Sequence, residues 1–293
     1  MSIACAVGLP GAEGIDQIAC LARLEAWTER VRIGIENALR NRGRFPMYDE
    51  LSDAEYRILT MYSVLYRHLG LTPNLSMLAT SNSPYDGADA SDHFIHAVLT
   101  DGYPVNCCTA PTIFATIGRR LGYPIKLVKA RHHLFCRWDA LDGERFNIEA
   151  TDKGYYRYSD EKYHTWPRPI PVDELRHGVL LTSLTPNQDA AFFLCERGIC
   201  LLENGRTDES LELFFHACRL DPEDHFYRSH WMTASYLERA RQNGWRFPVP
   251  QNHWERSIYR SAVDYLHRVR ANKARKNTLK PLDFQSSINV GIS

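Results

Sequence analysis

The sequence predicts an α+β fold, with helices at both ends of the chain enclosing a short antiparallel sheet. Three observations predict it. Apolar residues recur at three- and four-residue spacing before residue 70 and again after residue 185. Between residues 125 and 149 the pattern changes to three short β-like stretches. Asp142-Gly143, a strong hairpin-turn pair, separates the last two of these.

Taken in order, residues 15–41 form the first amphipathic segment, with Ile18, Leu21, Leu24, Val31, Ile35 and Leu39 as its apolar stripe and Gly43 beyond its end. A second helix starts at Ser52, where Glu55 three residues on completes a capping box. It runs to Gly70 and should bury Tyr56, Leu59, Tyr62, Leu65 and Tyr66. Thr80 to Asp92 is polar and rich in turn formers, a long loop of the kind that carries function. Helical spacing returns from Cys108 to Leu121, with Ile113, Phe114, Ile117 and Leu121 inward and Gly122 as the stop. The β-like stretches are Ile125–Ala130, His133–Trp138 and Arg145–Glu149.

After Thr185-Pro186 the spacing fits a helix–turn–helix repeat of about 34 residues: Ala191, Leu194, Gly198, Leu201, Ser210, Phe214, Ala217 and Pro222 fall at its packing positions, with Gly205 at the turn. A second unit from His225 is faintly patterned, which predicts at most one and a half repeats. So few repeats cannot bury their own face and must pack on the rest of the chain. From Arg256 to Lys280 the chain is basic, with Asp264 its one acid, and Tyr259, Val263, Leu266 and Val269 predict a docked helix with a solvated basic face. The tail beyond Asn277 should fray.

Composition narrows the function classes. The 293 residues allow two domains, and 44% hydrophobic with 24% charged residues is an ordinary globular balance. Lysine plus arginine equals aspartate plus glutamate at 35 each, so no net charge draws the chain to nucleic acid or a membrane surface. The opening MSIACAVGLPGAEGIDQ lacks the basic and apolar regions of a signal peptide, and no apolar run approaches about 18 residues. The expectation is a cytoplasmic protein without nucleic-acid or membrane partners. Its eight cysteines include no CxxC pair, which predicts reduced thiols and no zinc site. No phosphate-cradling glycine loop or acidic calcium loop occurs either, so no cofactor is expected. His93 and His96 have the spacing of a metal pair but no further ligand motif, and they read as structural, as does His164.

One group of residues carries chemistry. A thiol nucleophile acts as its thiolate, which the N-terminus of a helix stabilises. Cys107 stands there, with Pro111 early in the same helix. The thiolate needs a histidine, and the histidine a carboxylate to fix its tautomer. His133 opens the second β-stretch and Glu149 closes the third, so antiparallel pairing across Asp142-Gly143 brings them side by side. Periodicity does not choose between Cys107 and Cys108; the gap to Pro111 favours Cys107. Period-two alternation puts His133, Phe135 and Arg137 on one strand face, toward a cleft, and His132, Leu134, Cys136 and Trp138 on the core face.

NCCTAP (106–111), IGRRLGYPIKLVKA (117–130), HHLFCRW (132–138) and RFNIEAT (145–151) resemble bacterial transglutaminase-like proteins, and the likeness extends from Asp92 to Pro222. It implies a papain/transglutaminase-like core, in which a helix carrying the cysteine packs on an antiparallel sheet. The resemblance implies Cys107 as nucleophile, His133 as base, selected by its His-Leu-Phe, and Glu149 as the orienting acid, where aspartate is commoner. Asn106, Cys108 and Trp138 become candidates for the oxyanion site or substrate wall, with the Cys107 amide as a natural first oxyanion donor and Asn106 or the 80–96 loop as the second. The chain then divides into a helical N-terminal part (1–90), the catalytic core (91–184), a tetratricopeptide-like region (185–253) and a basic helix and tail (254–293).

Such a site forms a thioester from an amide and passes the acyl group to water or an amine. A protein or peptide substrate is expected, with a protein partner at the repeat region. Two other readings share the sequence: an inactive adaptor built on the same scaffold, and an exported effector that deamidates a partner's glutamine.

Overall fold

A computed structural model describes residues 1–74, 87–151, 156–176, 178–245, 247 and 250–278, the last eight of them by backbone only. It is helix-rich with a three-stranded antiparallel sheet, an α+β architecture. The Thr80–Asp86 part of the expected functional loop lies outside the described residues, as does the tail beyond Thr278.

The first turn of helix, α1 (Ser2–Ala6), buries Ile3, Cys5 and Ala6 in the main core and is followed by buried Leu9 and Ala12. No periodic signal marks so short a segment. Asp16 caps α2 (Gln17–Asn41) by accepting the Ala19 amide at 3.0 Å. Its buried row is Cys20, Leu24, Trp27, Val31 and Ile35. Ile18 and Leu21, expected inside, are 81% and 48% exposed. They sit to one side of that row, and the small Cys20 takes the inward place.

The capping box at α3 (Asp53–Ser63) forms as the sequence predicts. Ser52 Oγ accepts the Glu55 amide at 3.0 Å, and Glu55 accepts the Ser52 amide at 2.8 Å. A π-helical turn, Val64–His68, follows before Gly70 (φ 77°) ends the run. Tyr56, Ile58, Met61, Tyr62 and Leu65 are buried, while Leu59 and Tyr66 are partly buried. Two short helices, α4 (Ala90–His93) and α5 (His96–Asp101), lead to α6 (Thr109–Arg120).

Strands β1 (Ile125–Ala130), β2 (His133–Asp139) and β3 (Arg145–Ile148) pair in the order β1-β2-β3. Gly143 (φ 94°) closes the predicted turn, and the register sets Cys136 opposite Ile148 and Arg137 opposite Asn147. α6 lies on the face formed by Leu127, Leu134, Cys136, Trp138 and Ile148. The other face is closed as well, which corrects the expected cleft. There Phe135 stacks on Tyr163 of α7 (Asp160–Thr165) at 3.9 Å, and Val128 and Ala130 complete a second small core. Arg137 is buried there, held by Asn147, Leu181 and Asp160. The β1 edge is covered, Leu181 and Leu184 donating to the Lys129 and Leu127 carbonyls, and just past β3 Glu149 bridges to Tyr156.

After α8 (Val172–Arg176) come four longer helices: α9 (Pro186–Glu203), α10 (Thr207–Leu220), α11 (His225–Gln242) and α12 (His253–Thr278). α9 and α10 form the expected hairpin. A Cβ at Gly198 would stand 2.6 Å from the Phe214 ring, so glycine there permits the close crossing. α11 and α12 make a second hairpin, one half-unit more than expected. Its connection, residues 243–252, is too long for the regular repeat, and that irregularity blurred its spacing. α12 docks through Ile258, Ala262 and Tyr265; the predicted Tyr259 and Leu266 flank this seam.

The change of pattern at residue 185 is not a change in packing. Phe192, Phe193, Cys200 and Leu201 of α9 belong to the main core. Buried Lys129 on β1 pairs with Asp224, the N-cap of α11, and donates to the Tyr227 hydroxyl at 3.2 Å. Arg197 clasps the Cys5 and Val7 carbonyls at 2.7 and 2.8 Å. Among the described residues, no helix is long and apolar enough to cross a membrane.

Candidate active site

The site is built from the start of α6. Asn106 Oδ1 accepts the amides of Cys108 (2.8 Å) and Thr109 (3.1 Å), and Thr109 Oγ1 accepts the Asn106 amide at 3.0 Å. This is a reciprocal cap, with the Ala110 amide already bonded to the Asn106 carbonyl. By its hydrogen bonds Asn106 is the cap and Cys107 opens the first turn, in the positive end of the helix dipole. Asn106 Nδ2 is tied to the Asp92 carbonyl at 2.8 Å. Its side chain therefore fixes the loop that carries Cys107, and its oxygen and nitrogen are both engaged there. Among the described residues the Cys107 amide has no hydrogen-bond partner, which keeps it available as an oxyanion donor.

Cys107 is partly exposed, whereas Cys108 is buried against the core. This separates the two adjacent thiols that periodicity left undecided. The Cys108 thiol donates to Cys107; with the hydrogen bond and charge of His133, this outweighs burial and holds the Cys107 thiol down to about 5.

His133 and Glu149 meet as the pairing order requires. The β2–β3 register, continued one pair, sets Glu149 opposite Phe135, so His133 is its diagonal neighbour on the same face. His133 Nε2 lies 2.8 Å from Glu149 Oε2, leaving Nδ1 to face Cys107. Burial alone would lower the imidazole; the Glu149 charge and the hydrogen bonds to Cys107 and Glu149 push it up to about 10. Glu149 is fully buried, yet its carboxyl stays below the usual range. Burial would raise it, but the His133 charge and hydrogen bond and the two Thr151 donors prevail. The adjacent His132 turns away, exposed in the left-handed region (φ 58°).

The glutamate reaches because it folds back. Its Oε1 takes the Thr151 amide at 2.9 Å and the Thr151 hydroxyl, and its Oε2 takes the Tyr163 hydroxyl at 2.9 Å as well as His133. Trp166 stands edge-on to the His133 ring at 5.0 Å. Sequence reasoning missed Tyr163, which lies within α7, and read Trp166, just after α7, as a packing residue. Thr151 had a signal: it stands two residues after the glutamate, within reach of a side chain that folds back.

Trp138, the candidate substrate wall, is elsewhere. It sits near the far end of β2 from His133, stacked on Phe146 and beside Tyr123 in the core. The alternation that placed it on the core face already pointed there. His93 and His96 do not converge. His93 engages Glu196 at 2.6 Å and the Gly87 carbonyl at 3.1 Å, and His96 the Gly11 carbonyl at 2.8 Å. Among the described residues no three histidine, cysteine or carboxylate groups gather as metal ligands. His164, on α7, is also outside the triad. Cys136 gives its thiol to the Pro111 carbonyl at 3.1 Å, and burial pushes it far above the ordinary thiol range.

Chemically, a partly exposed thiolate beside an imidazolium, with a free amide at a helix start, is a nucleophile with an acid and an oxyanion donor at hand. Compared with known proteins the chain finds no match: no protein-family model, no curated protein and no solved structure matches it.

Proposed function

We propose that this chain is a cysteine-dependent acyl-transfer enzyme acting on amide bonds, with a papain/transglutaminase-like core. The observation that carries the reading is the row of Cys107, His133 and Glu149, in which the imidazole stands beside the thiol and is tied to the buried carboxylate at 2.8 Å. The Cys107 thiolate attacks the amide carbon, and the electron pair moves to the oxygen beside the Cys107 amide. His133 gives its proton to the nitrogen as the C–N bond breaks, leaving a thioester and a free amine. Water or an amine then attacks the thioester while His133 takes its proton, and the sulfur leaves as thiolate. Glu149 keeps the imidazole oriented throughout and favours its charged form whenever it holds the proton. A protein or peptide amide is the substrate class, and the tetratricopeptide-like helices are the partner-facing region.

The test is turnover. Glutamine-containing peptides are offered to the reduced chain with hydroxylamine as acceptor, and ammonia release and hydroxamate are measured. Cys107→Ser should abolish both products. A folded chain with reduced Cys107 that turns over no peptide amide overturns the proposal. A partner-binding scaffold then leads. That second reading has one observation of its own: Phe215 on α10 and Trp231 on α11, 47% and 37% exposed, lie 6.4 Å apart.

A further inference from the structure

We infer that Tyr163 is a positioning residue of this site: its hydroxyl, together with that of Thr151, holds the buried Glu149 carboxylate ionised and aimed at His133. The inference rests on the proposed triad and deepens it.

A buried carboxylate stays charged only if its oxygens are satisfied. It has about four lone-pair sites, and here all four are used. Thr151 fills two on Oε1; Tyr163 and His133 share Oε2 at 2.9 and 2.8 Å. Because Tyr163 and His133 bond the same oxygen, the hydroxyl fixes where that oxygen stands before the imidazole. The ring of Tyr163 has a separate task, stacking on Phe135 with planes 4° apart. Phenylalanine would keep that stacking and lose only the hydroxyl. The titratable groups facing this carboxylate are His133 on β2, Cys107 at the start of α6, and Tyr163 on α7, with Tyr158 behind it, while Cys136 feels its charge from the opposite face of β2. Burial and the Glu149 charge keep the Tyr163 phenol protonated, so it acts as a fixed donor across the working range.

The sign follows from the direction of the donors. An O–H aimed at a carboxylate favours its ionised form, so removing it raises the carboxyl's proton affinity.

The test titrates the full chain, labelled at the glutamate carboxyl carbons, by NMR, with the Glu149 signal assigned by its loss in Glu149→Gln. In Tyr163→Phe the Glu149 midpoint should rise by about one pH unit, and in Thr151→Val it should move the same way. In peptide-amide turnover, Tyr163→Phe should lower kcat severalfold with KM held. Wild-type midpoints in both variants overturn the inference, and so does a raised midpoint with unchanged kcat. Absence of turnover in the wild type overturns the enzyme reading itself, and this inference with it. If Tyr163→Phe fails to fold, Thr151→Val decides by the same readouts.

Discussion

Replacing Glu149 by glutamine tests the electrostatics of the site with almost no change of shape. Thr151 offers two donors to Oε1, so the amide oxygen of the new side chain would settle there and its NH2 would face His133 Nε2 and the Tyr163 hydroxyl. An N–H pointing at Nε2 excludes a proton on that nitrogen, and the imidazole becomes neutral. The magnitude follows from what Glu149 supplies. Its charge is the largest influence raising His133, against burial, to about 10. Without it the imidazole should fall to or below its unperturbed value of about 6.5, a change of at least about three units, or about 4–5 kcal/mol. Histidine Cε1 NMR titration of wild type and Glu149→Gln reads this directly, with His133→Gln providing the assignment. A His133 signal that titrates near 10 in Glu149→Gln, or near 6.5 in the wild type, would refute the reasoning.

Three further expectations follow from the same contacts. Asn106→Ala removes the acceptor of two amides and the tie to Asp92, so urea unfolding should show a loss of about 1–2 kcal/mol and Cys107 should label more slowly with iodoacetamide; no change in either refutes the capping role. Lys129→Met strips the buried cation from Asp224 and Asp221 and should cost about 3–5 kcal/mol, whereas a loss under about 1 kcal/mol means the pair contributes little. The triad also shapes stability against pH. Folded Cys107 has released a proton that the unfolded chain keeps between about 5 and about 8.5, so stability rises with pH there. Folded His133 keeps a proton that the unfolded chain loses between about 6.5 and about 10, so stability falls there. Relative to a Cys107→Ser/His133→Gln chain, the urea midpoint should climb to about pH 6.5, stay level to about 8.5 and then decline; a flat difference contradicts both shifts.

What the sequence made legible was what depends on local pattern. Ser52 and Glu55 state their capping box in four residues, and Asp142-Gly143 states its turn. Gly198, Phe214 and Ala217 mark a helix crossing by size alone. His133 and Glu149 could be brought together because antiparallel pairing needs only strand order and a turn. Less legible was whatever depends on which surface meets which. Ile18 and Leu21 satisfy helical spacing yet point outward, because rows adjacent on a helix differ little in composition. The same slip of one position affected α12, where Tyr259 was expected and Ile258 is buried. Trp138 and Trp166 are chemically equal on paper, and only the fold of α7 over the sheet puts Trp166 at His133. Residues 1–14 offer too little length for periodicity, and besides burying Ile3, Ala6 and Leu9 they are held by backbone carbonyls that carry no residue-type signal.

The covered β1 rim of the small sheet bears on how the chain survives its own synthesis. A three-stranded sheet left open would present two rows of unpaired amides and carbonyls, ready to recruit another chain into a growing stack. On β1 the row is occupied by residues 181–184, which lead directly into α9. The guard on β1 is thus among the last parts of the α/β region to leave the ribosome, and the helices that seat it come later still. During that interval the sheet is sticky. The repeat-like helices therefore act as a late-arriving cover against self-association, and a chain cut after residue 184 would keep every residue of the triad while losing the helices that seat that cover.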